Sequence, residues 1–434
     1  MEDHMSGPVK ASGISRAALP VVASIAWRNV LRHGKRTLIT AIVLTVGIGI
    51  FILFDSMLAG MDRITIDTGI EYENASVSIR TKEYQQHANS QPLEYALADP
   101  EAIMKKLPDL LPPGSTFTPR SRFYTQVSNY TDDTPGIAIA VDPQKDPSVF
   151  RTSSSIVSGK WVSPGKAVLG SDMARDLRVK VGDWVAISAI LPDSTINAIE
   201  IEVGGIADLP LFGLSSQAVY LSLADAEALA GSPLPLTEID ILIPPAGKLD
   251  RLVAQAETAA ASIESAFAGI EALSIGEAMK DYLAMRTMKS KFSYVVIFIV
   301  LLIAAVGIFN TLLMSMYSRI REIGVLAAYG LEPGQIKRLF SLEGLMIGAI
   351  GSLGGLALGA LFVWWLNTKG ISFEGIIGNL DLGSLPKNLY IRGEWNAPAF
   401  AGGFIFGVLV SWLASLMPAR KAASIEVTDA LRFV

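Results

Sequence analysis

The sequence predicts an α-helical membrane protein with four transmembrane helices and a large α+β extracytoplasmic domain between the first and second helices. Half of the 434 residues are hydrophobic, and the mean hydropathy of +0.41 is uncommon for a soluble enzyme. The apolar residues are also unevenly spread, because they gather in four long stretches around one long polar segment. Together these observations favour a chain that buries helices in lipid.

Each of the four apolar stretches is long enough to cross a bilayer, which takes about 20 residues. Buried helices of a soluble protein are the alternative, but those usually run about 8–20 residues and show a polar face. The third stretch carries one charge, Glu343, at its edge, and the second carries none after Lys291. The predicted spans are residues 37–59, 291–317, 342–366 and 396–417.

Short segments rich in Lys and Arg mark the cytoplasmic side of a membrane protein. Basic residues exceed acidic ones in the N-terminal segment 1–36, the loop 318–341 and the tail 418–434. We therefore expect these three segments, and both termini, in the cytoplasm. The segment 60–290 and the loop 367–395 then lie outside.

The segment before the first span needs its own interpretation. The apolar core of span one exceeds the 7–15 residues of a cleaved signal peptide, and no clear small-residue cleavage site follows. Span one is therefore predicted to be an uncleaved signal-anchor. Residues 19–30 suit an interfacial amphipathic helix. The polar residues 1–13 are either a native tail or an added sequence, and we assign them no function.

The segment 60–290 differs sharply in charge from the rest of the chain. It holds 19 Lys and Arg against 30 Asp and Glu, a net charge of −11, whereas the remainder carries +6. Short apolar runs separated by turn residues predict strands, and longer patterns predict helices. The strands are predicted at 76–80, 136–141, 184–188, 200–203, 219–223 and 238–243, and the helices at 100–107, 171–177, 223–230, 249–267 and 275–291. The last helix is predicted to run unbroken into the second span and to carry motion between domain and membrane.

No catalytic or metal-binding constellation stands out. The chain has no Cys and only three His, which removes disulfides, iron–sulfur clusters, thiol catalysis and a histidine-rich metal site. Neither H-E-x-x-H nor G-x-S-x-G occurs. The carboxylate pairs Asp132/Asp133 and Asp172/Asp176 are interpreted as a turn and a solvated helix face. We therefore predict no catalytic residue, no metal site, no cofactor in this chain and no nucleic-acid partner.

The energy source is also missing from the chain. Residues 34–37 (GKRT) resemble the end of a P-loop only superficially, because the preceding glycine is absent and Arg36 separates Lys35 from Thr37. If ATP drives this protein, a separate subunit must bind it together with Mg²⁺. Residues 317–340 contain a short amphipathic helix between two spans, which suits either docking on such a subunit or an ordinary basic juxtamembrane loop.

Several blocks resemble the FtsX-like/MacB-type ABC transporter permeases, also called type VII or mechanotransmission transporters. The resemblance covers nearly the whole chain after about residue 20, and the membrane blocks are specific only in combination. The blocks are AWRNV at 26–30, LGSDMA at 169–174, GIFNTLLMSM at 307–316, REIGVL at 321–326, QIKRLF at 335–340, PARKAA at 418–423 and ALR at 430–432.

This resemblance implies a multi-pass protein of the bacterial inner membrane. Two permease copies, or two related permeases, would stand above a dimer of ABC ATPase subunits. The short helix would be the coupling helix, although Ala327 stands where the family often has a basic residue. Its implied residues are Arg321, Glu322, Ile323, Gly324, Val325, Leu326 and Tyr329.

Within the family, the separate ATPase and the overall layout resemble lipoprotein-releasing permeases of the LolC/LolE type. The stretch 191–198 is short for the chaperone-recruiting hook of LolC, which favours a LolE-like or homodimeric permease. The expected function is ATP-driven extraction of a lipoprotein or other amphiphile from the membrane, with or without a periplasmic carrier or adaptor. The candidate cavity residues are Phe51, Phe54, Met57, Leu58, Met61, Phe292, Val295 and Phe298.

Two other functions remain open on the same fold. One is a MacB-like efflux or peptide-resistance permease, and the other is FtsX-like signalling to a periplasmic partner. Met and aromatic side chains adapt to acyl chains, but such residues also commonly face bulk lipid. Asp55 either meets a polar headgroup or only ends span one in water, and Asn310 is expected to make an interhelical hydrogen bond.

Overall fold

The computed structural model describes residues 18–32, 34–231, 233–244, 247–329, 331–372 and 390–426. The chain divides into two compact units. The membrane unit comprises Met1–Gly60, Met288–Gly370 and Arg392–Val434, and the external domain comprises Met61–Thr287 and Ile371–Ile391. The polar segment 1–13, most of the loop 367–395 and the motif at 430–432 lie outside the described residues.

The helices and strands are numbered in chain order. The α-helices are α1 Ala18–Arg32, α2 Gly34–Gly69, α3 Lys82–Gln86, α4 Pro100–Leu110, α5 Ser171–Asp176, α6 Phe212–Gln217, α7 Leu223–Ala230, α8 Leu249–Ala266, α9 Ile275–Ala278, α10 Lys280–Ser318, α11 Ile320–Ala328, α12 Pro333–Lys369 and α13 Ala397–Ala423. The strands are β1 Val77–Thr81, β2 Thr116–Ser128, β3 Asp133–Val141, β4 Ile156–Gly159, β5 Lys166–Gly170, β6 Trp184–Ile190, β7 Ile196–Ala207, β8 Ala218–Ser222, β9 Glu238–Leu242, β10 Ile270–Ser274, β11 Ile371–Ser372 and β12 Tyr390–Ile391.

Within the part of the chain that the structure describes, four helices, α2, α10, α12 and α13, are long and apolar enough to cross a membrane. The predicted fold class is therefore confirmed, but α2 and α10 run well past the predicted ends of spans one and two. Polar contacts hold the two extensions together within the external domain. Tyr282 and Arg286 of α10 donate to the carboxylate of Asp62 on α2, at 2.8 and 3.0 Å, and Arg286 also binds Asp250 at 2.9 Å.

The predicted helix at 275–291 is not continuous. Short helix α9 ends at Ala278, and Met279 leaves the helical conformation at φ −108° and ψ 25°. A Cβ on Gly69 would lie 2.8 Å from the Met279 sulfur, so this methionine packs where α2 ends. The long helix α10 begins only after this break. Sequence periodicity could not show it, because both sides of the break keep a helical pattern.

Glycines on α12 allow its neighbours in the membrane unit to approach closely. Cβ atoms on Gly351, Gly355 and Gly359 would lie about 2.8 Å or less from Leu44, Ile48 and Ile52 of α2. Gly344 and Gly348 meet Ser415 and Ser411 of α13 in the same way. Small residues with this spacing permit tight helix packing, so α12 is the packing centre of the described membrane unit.

The external domain is built on one mixed sheet with the strand order β10-β1-β9-β2-β3-β8-β5-β7-β4, while β6 pairs with β2 and β7. The pairs β3–β8 and β5–β7 are parallel. Helices α5 and α7 cover one apolar core and helices α4 and α8 cover another. The helix α7 begins as its sequence suggests, since the Ser222 hydroxyl accepts from the Asp225 amide at 3.1 Å.

Strand β2 is central to the sheet but was not among the predicted strands. It pairs with β9, β3 and β6, although it contains Pro119 and two arginines, Arg120 and Arg122, in its first half. Proline and charge normally argue against a central strand. The arginines are accommodated because the domain buries acidic partners beside them, as described below.

Candidate functional site

The short helix α11 lies between the spanning helices α10 and α12. A single residue, Arg319, separates α10 from α11, and its backbone departs from the helix at φ −122° and ψ 14°. The following helix α12 starts with a capping box, in which the Glu332 side chain accepts from the backbone at Gln335 and the Gln335 side chain accepts from the Glu332 amide. Both ends of the α11 segment are thus defined by local structure.

One side of α11 is buried inside the membrane unit. Ile320, Ile323 and Gly324 are buried, and Ile323 belongs to an apolar cluster with Met316, Phe340, Ala419 and Ala422. Two of the predicted coupling residues, Ile323 and Gly324, therefore face the interior of this chain. Ile323 packs there against residues of α12 and α13.

A buried ion pair fixes the start of α11. Arg319 is 4% exposed, and its Nη1 donates to Glu343 Oε1 of α12 at 3.1 Å while its Nε donates to Glu322 Oε2 at 3.1 Å. Asn29 of α1 donates to the same Glu343 oxygen at 2.7 Å. These four residues, the anchor cluster, join three separate parts of the chain.

Sequence reasoning missed the anchor cluster. Glu343 was noted only as a charge at the edge of span three, and Arg319 only as part of a basic loop. A carboxylate within a spanning segment usually needs a partner, and that signal was available. The identity of the partner was not, since the pairing depends on how α10 and α12 meet.

The other side of α11 is exposed. Tyr329 is 85% exposed and Val325 40%, and Arg321 and Glu322 are exposed as well. Leu326 is half-buried, and Glu322 also reaches Arg32 of α1 at 3.5 Å. We call Arg321 and Val325, together with Tyr329 directly after the last residue of the helix, the outer face of α11. A helix that is fixed on one side and exposes apolar groups on the other is suited to bind another protein.

The candidate cavity residues occupy two kinds of position. Phe51 is buried in the core of the membrane unit, so it does not line an open surface. Met57 and Leu58 are half-buried, and Met61 is half-buried in the external domain. The exposed members are Phe54, Phe292, Val295 and Phe298.

The exposed members on α10 belong to a wider open face. The buried residues of this helix recur at positions 293, 297, 301, 304, 308, 312 and 316, which is one stripe at helical spacing. Much of the remaining surface is exposed, including Asn310. Because Asn310 is exposed, its side chain does not point into the core of this chain, and the interhelical hydrogen bond expected of it stays a prediction. Phe298 lies 6.2 Å from Phe406 between ring centres.

Asp55 at the end of span one has a partner. The Asn396 amide of α13 donates to Asp55 Oδ2 at 2.8 Å. This contact was not predicted, because Asn396 follows the predicted loop 367–395 and its distance from Asp55 along the sequence hides the pairing. Asp55 thus links α2 to the start of α13. This contact differs from both expectations for Asp55, which were a contact with a lipid headgroup and a role limited to ending the span in water.

The external domain buries a second set of charges on its central strands. Arg120 is fully buried, with its Nε 2.7 Å from Asp146 and its guanidinium 3.3 Å from the Phe150 ring centre. Arg80 and Arg122 both pair with buried Glu238, at 2.8 and 2.5 Å. Asp240 accepts a hydrogen bond from Ser78. We call this set, Arg80, Arg120, Arg122, Asp146, Glu238 and Asp240, the buried charge network.

The network shifts its own ionisation equilibria. Burial, and then the neighbouring Glu238 carboxylate, raise the pKa of Asp240 to about 7. Burial alone would also raise the pKa of Glu238, but the Arg122 and Arg80 cations outweigh it and hold the pKa at about 2. Two carboxylates on one strand thus respond in opposite directions to nearly the same surroundings.

Two of the other carboxylates singled out from sequence lie where they were predicted. Asp132 lies in a turn, where its backbone amide donates to Asn129 Oδ1 at 2.6 Å, and Asp172 pairs with Arg175 at 2.9 Å on helix α5. Among the described residues, no group of three His, Asp or Glu side chains is arranged to hold a metal ion. The stretch at 191–198 forms a tight hairpin turn, in which the Leu191 amide donates to Thr195 O at 2.9 Å between β6 and β7.

Two family models match this chain. The MacB-like periplasmic core domain matches residues 37–259, and the FtsX-like permease C-terminal domain matches residues 294–427. The first covers half of the chain. Their order along the chain is that of the first span with the external domain, followed by the remaining membrane helices.

Similar proteins include an uncharacterized ABC transporter permease, MJ1507, from Methanocaldococcus jannaschii, 27% identical over 67% of this chain and 69% of that protein. The lipoprotein-releasing system transmembrane protein LolC from Neisseria meningitidis serogroup B is 22% identical over 67% of this chain and 71% of its own length. A solved structure, the periplasmic region of MacB from Actinobacillus actinomycetemcomitans, aligns with 48% of this chain over 92% of its own length, at 10% identity and a TM-score of 0.31.

Proposed function

The chain belongs to the FtsX-like, MacB-type ABC transporter permeases, and from that premise we propose that it is the permease subunit of a transporter that extracts lipoproteins from the inner membrane. ATP hydrolysis would take place in a separate ABC ATPase dimer, which also binds Mg²⁺. The permease would act as a homodimer or beside a related permease and convert that hydrolysis into movement outside the membrane.

The observation that carries this proposal is the two-sided structure of α11. Its inner side is held by Ile323 and by the anchor cluster, whereas Val325 and Tyr329 are exposed on its outer face. A partner that binds this face would push on a helix that cannot slide freely over α12 and α13. Force applied there would be transmitted to α10 through Arg319, the only residue between the two helices.

This role requires α11 on the cytoplasmic side. The basic excess in residues 27–36 and 318–341 supports that orientation, and it would place both termini in the cytoplasm and the domain built on Met61–Thr287 outside. Cysteine labelling is a direct test, since the natural chain has no Cys. A membrane-impermeant maleimide should label an introduced T195C in intact spheroplasts and should label Y329C only after lysis.

A lipid-linked substrate is supported by the open faces of α2 and α10. Phe54, Phe292 and Val295 are exposed apolar residues near the outer ends of the predicted membrane spans in these helices. Acyl chains bind such surfaces readily because contact with them requires no hydrogen bonds. The similarity to a lipoprotein-releasing LolC protein supports the same substrate class. The tight hairpin at Leu191–Thr195 argues against a long carrier-recruiting hook in this chain.

The test is ATP turnover by the permease with its partner ATPase in lipid nanodiscs. A triacylated lipoprotein should stimulate turnover, and the same protein without its acyl chains should not. Depletion of the permease should leave lipoproteins in the inner membrane. If every lipidated substrate is without effect and lipoproteins localise normally, lipoprotein release is wrong and efflux or signalling to a periplasmic partner takes its place.

A further inference from the structure

A groove that the proposed transport cycle does not use lies in the membrane unit, between α1, α12 and α13. It has a volume of about 280 Å³. Its polar lining comes from Gln335, Arg338 and Ser341 on the first turns of α12. Its apolar lining comes from Val22, Leu342, Leu345 and Trp412. The two linings are separated along α12, with the polar residues nearer its start.

The polar end of the groove can bind an anion. Arg338 is exposed and has no ion pair or hydrogen bond with any residue in the described part of the chain. The Gln335 carbonyl oxygen is already used by the Glu332 amide at 3.1 Å, which leaves its NH₂ group as a donor. Among the described residues that line the groove, none carries a carboxylate that would offset the charge of Arg338.

The apolar end is open toward the surroundings of the helices. Trp412 is 40% exposed and Leu345 37%. On a spanning helix such side chains face lipid, and tryptophan is enriched where acyl chains meet the headgroup region. An occupant must therefore combine a negative head with an apolar tail.

A peptide segment is a poorer occupant than a lipid. The third wall is supplied by α1, where Val22 and Ala26 already pack on Leu339 of α12. The pocket beside that contact has a volume of about 280 Å³, which is small for a peptide segment. Basic pockets between spanning helices on the cytoplasmic side commonly hold anionic lipid headgroups.

We propose that the groove between α1, α12 and α13 binds one anionic phospholipid, with its phosphate on Arg338 and an acyl chain along Leu345 and Trp412. The lipid would hold α1 against α12 beside the anchor cluster, since Asn29 belongs to α1 and Glu343 to α12. The position of this lipid in the cytoplasmic leaflet rests on the proposed function, because that function sets the orientation of the membrane unit.

The test is tryptophan quenching in the purified full-length chain by lipids brominated on the acyl chain. Brominated phosphatidylglycerol should quench Trp412 at a few lipids per protein, whereas brominated phosphatidylcholine should need a large excess. Comparison with W412F identifies the Trp412 contribution among the seven tryptophans. Arg338→Gln should weaken the phosphatidylglycerol effect about five-fold, since one basic residue contributes about 1 kcal/mol near an anionic lipid.

Lys337→Gln is the matched control, because it removes a neighbouring charge that does not line the groove. It should leave quenching unchanged. Equal quenching by the two lipids, or equal losses in the two variants, would overturn the proposal. The assay contains no ATPase, so its result does not depend on the proposed transport function. If the chain selects phosphatidylglycerol but does not bind the ATPase, the proposed function is wrong and the lipid site stands.

Discussion

The membrane unit and the external domain each bury a set of charges, and the two sets differ in what they connect. The anchor cluster joins helix ends from three separate parts of the chain through Arg319, Glu343 and Asn29. The buried charge network lies on the central strands of one sheet, where Arg120 and Arg122 come from β2 and Glu238 and Asp240 from β9. One set positions a helix that exposes a binding face, and the other holds neighbouring strands together.

Buried charge therefore serves two purposes in this chain. Removing one partner of a buried pair costs far more than the pair contributes, because the remaining charge stays unpaired. In the external domain that cost should appear as lost stability. In the membrane unit it should also appear as lost coupling, since α11 begins at Arg319.

The largest expected effect is at the anchor cluster. Glu343→Ala should destabilise the membrane unit by about 3–5 kcal/mol, because Arg319 is left buried without its main partner. Thermal unfolding in detergent, followed by scattering or dye binding, measures the loss. The double variant Arg319→Met with Glu343→Met should recover most of that stability while its ATPase coupling stays low. A single variant that is as stable as the double one would show that the pair is not a unit.

The next effect is in the external domain. Asp146→Asn should destabilise that domain by about 3 kcal/mol, because fully buried Arg120 loses the carboxylate at 2.7 Å. Hydrogen exchange in the intact chain should then speed up in β2 and β9 while exchange in α12 stays slow. Asp142→Asn is the control, since the Asp142 carboxylate pairs with exposed Lys145 at 3.8 Å and accepts from the backbone amides of Gln144 and Lys145, bonds that the Asn side-chain oxygen can keep. Comparable acceleration in both variants would contradict a special role for the network.

The third effect is a pH dependence that only the external domain should show. The pKa of Asp240 is raised from 3.8 to about 7, so its contribution to stability is complete below pH 4 and is lost as pH rises through 7. The slope is at most about 1.4 kcal/mol per pH unit for one proton. The groups that face it are Glu238, Arg120, Arg122 and Ser78.

Asp240→Asn should flatten the fall in stability between pH 4 and pH 7. Glu238 works in the opposite direction, because its pKa of about 2 means that its contribution is present above pH 4.5 and is lost only in strong acid. Urea unfolding of the intact chain across this pH range, with the external domain followed by limited proteolysis, separates the two carboxylates. An unchanged pH profile in D240N would assign the dependence to another group.

The smallest effect is at the edge of the anchor cluster. Arg32 and Glu322 are 3.5 Å apart, with side chains 71% and 47% exposed. An exposed pair of this kind contributes about 0.5 kcal/mol or less. Arg32→Gln should therefore leave thermal unfolding within error of the natural protein. A large loss of thermal stability would show that Arg32 also helps to hold α11 in place.

Hydropathy predicted the membrane part of this fold well, because four apolar stretches of spanning length allow few alternatives. Strand β2 was missed because its pattern includes Pro119, Arg120 and Arg122, which are unfavourable in a central strand unless acidic partners are buried beside them. Those partners, Glu238 and Asp240, lie more than 100 residues away in the sequence. The break at Met279 was missed because periodicity continues on both sides of it.

The candidate site was predictable in outline and not in its geometry. The segment 317–340 showed a short amphipathic helix, but its pattern alone did not tell which side is buried. The structure shows that Ile323 and Gly324 are inside and that Val325 and Tyr329 are outside. The pairing of Arg319 with Glu343 depends on three-dimensional packing of α10 against α12, which no local pattern reports.

The central claim is that the outer face of α11 binds the ATPase, and the affinity of the purified ATPase for the permease in nanodiscs tests it most directly. Tyr329→Ala should weaken binding about ten-fold or more, since exposed tyrosines at the centre of an interface often contribute about 2 kcal/mol. Tyr130→Ala, which changes an exposed tyrosine of the external domain, should leave the affinity unchanged. Unchanged affinity in the Tyr329 variant, with normal ATP turnover, would contradict the account.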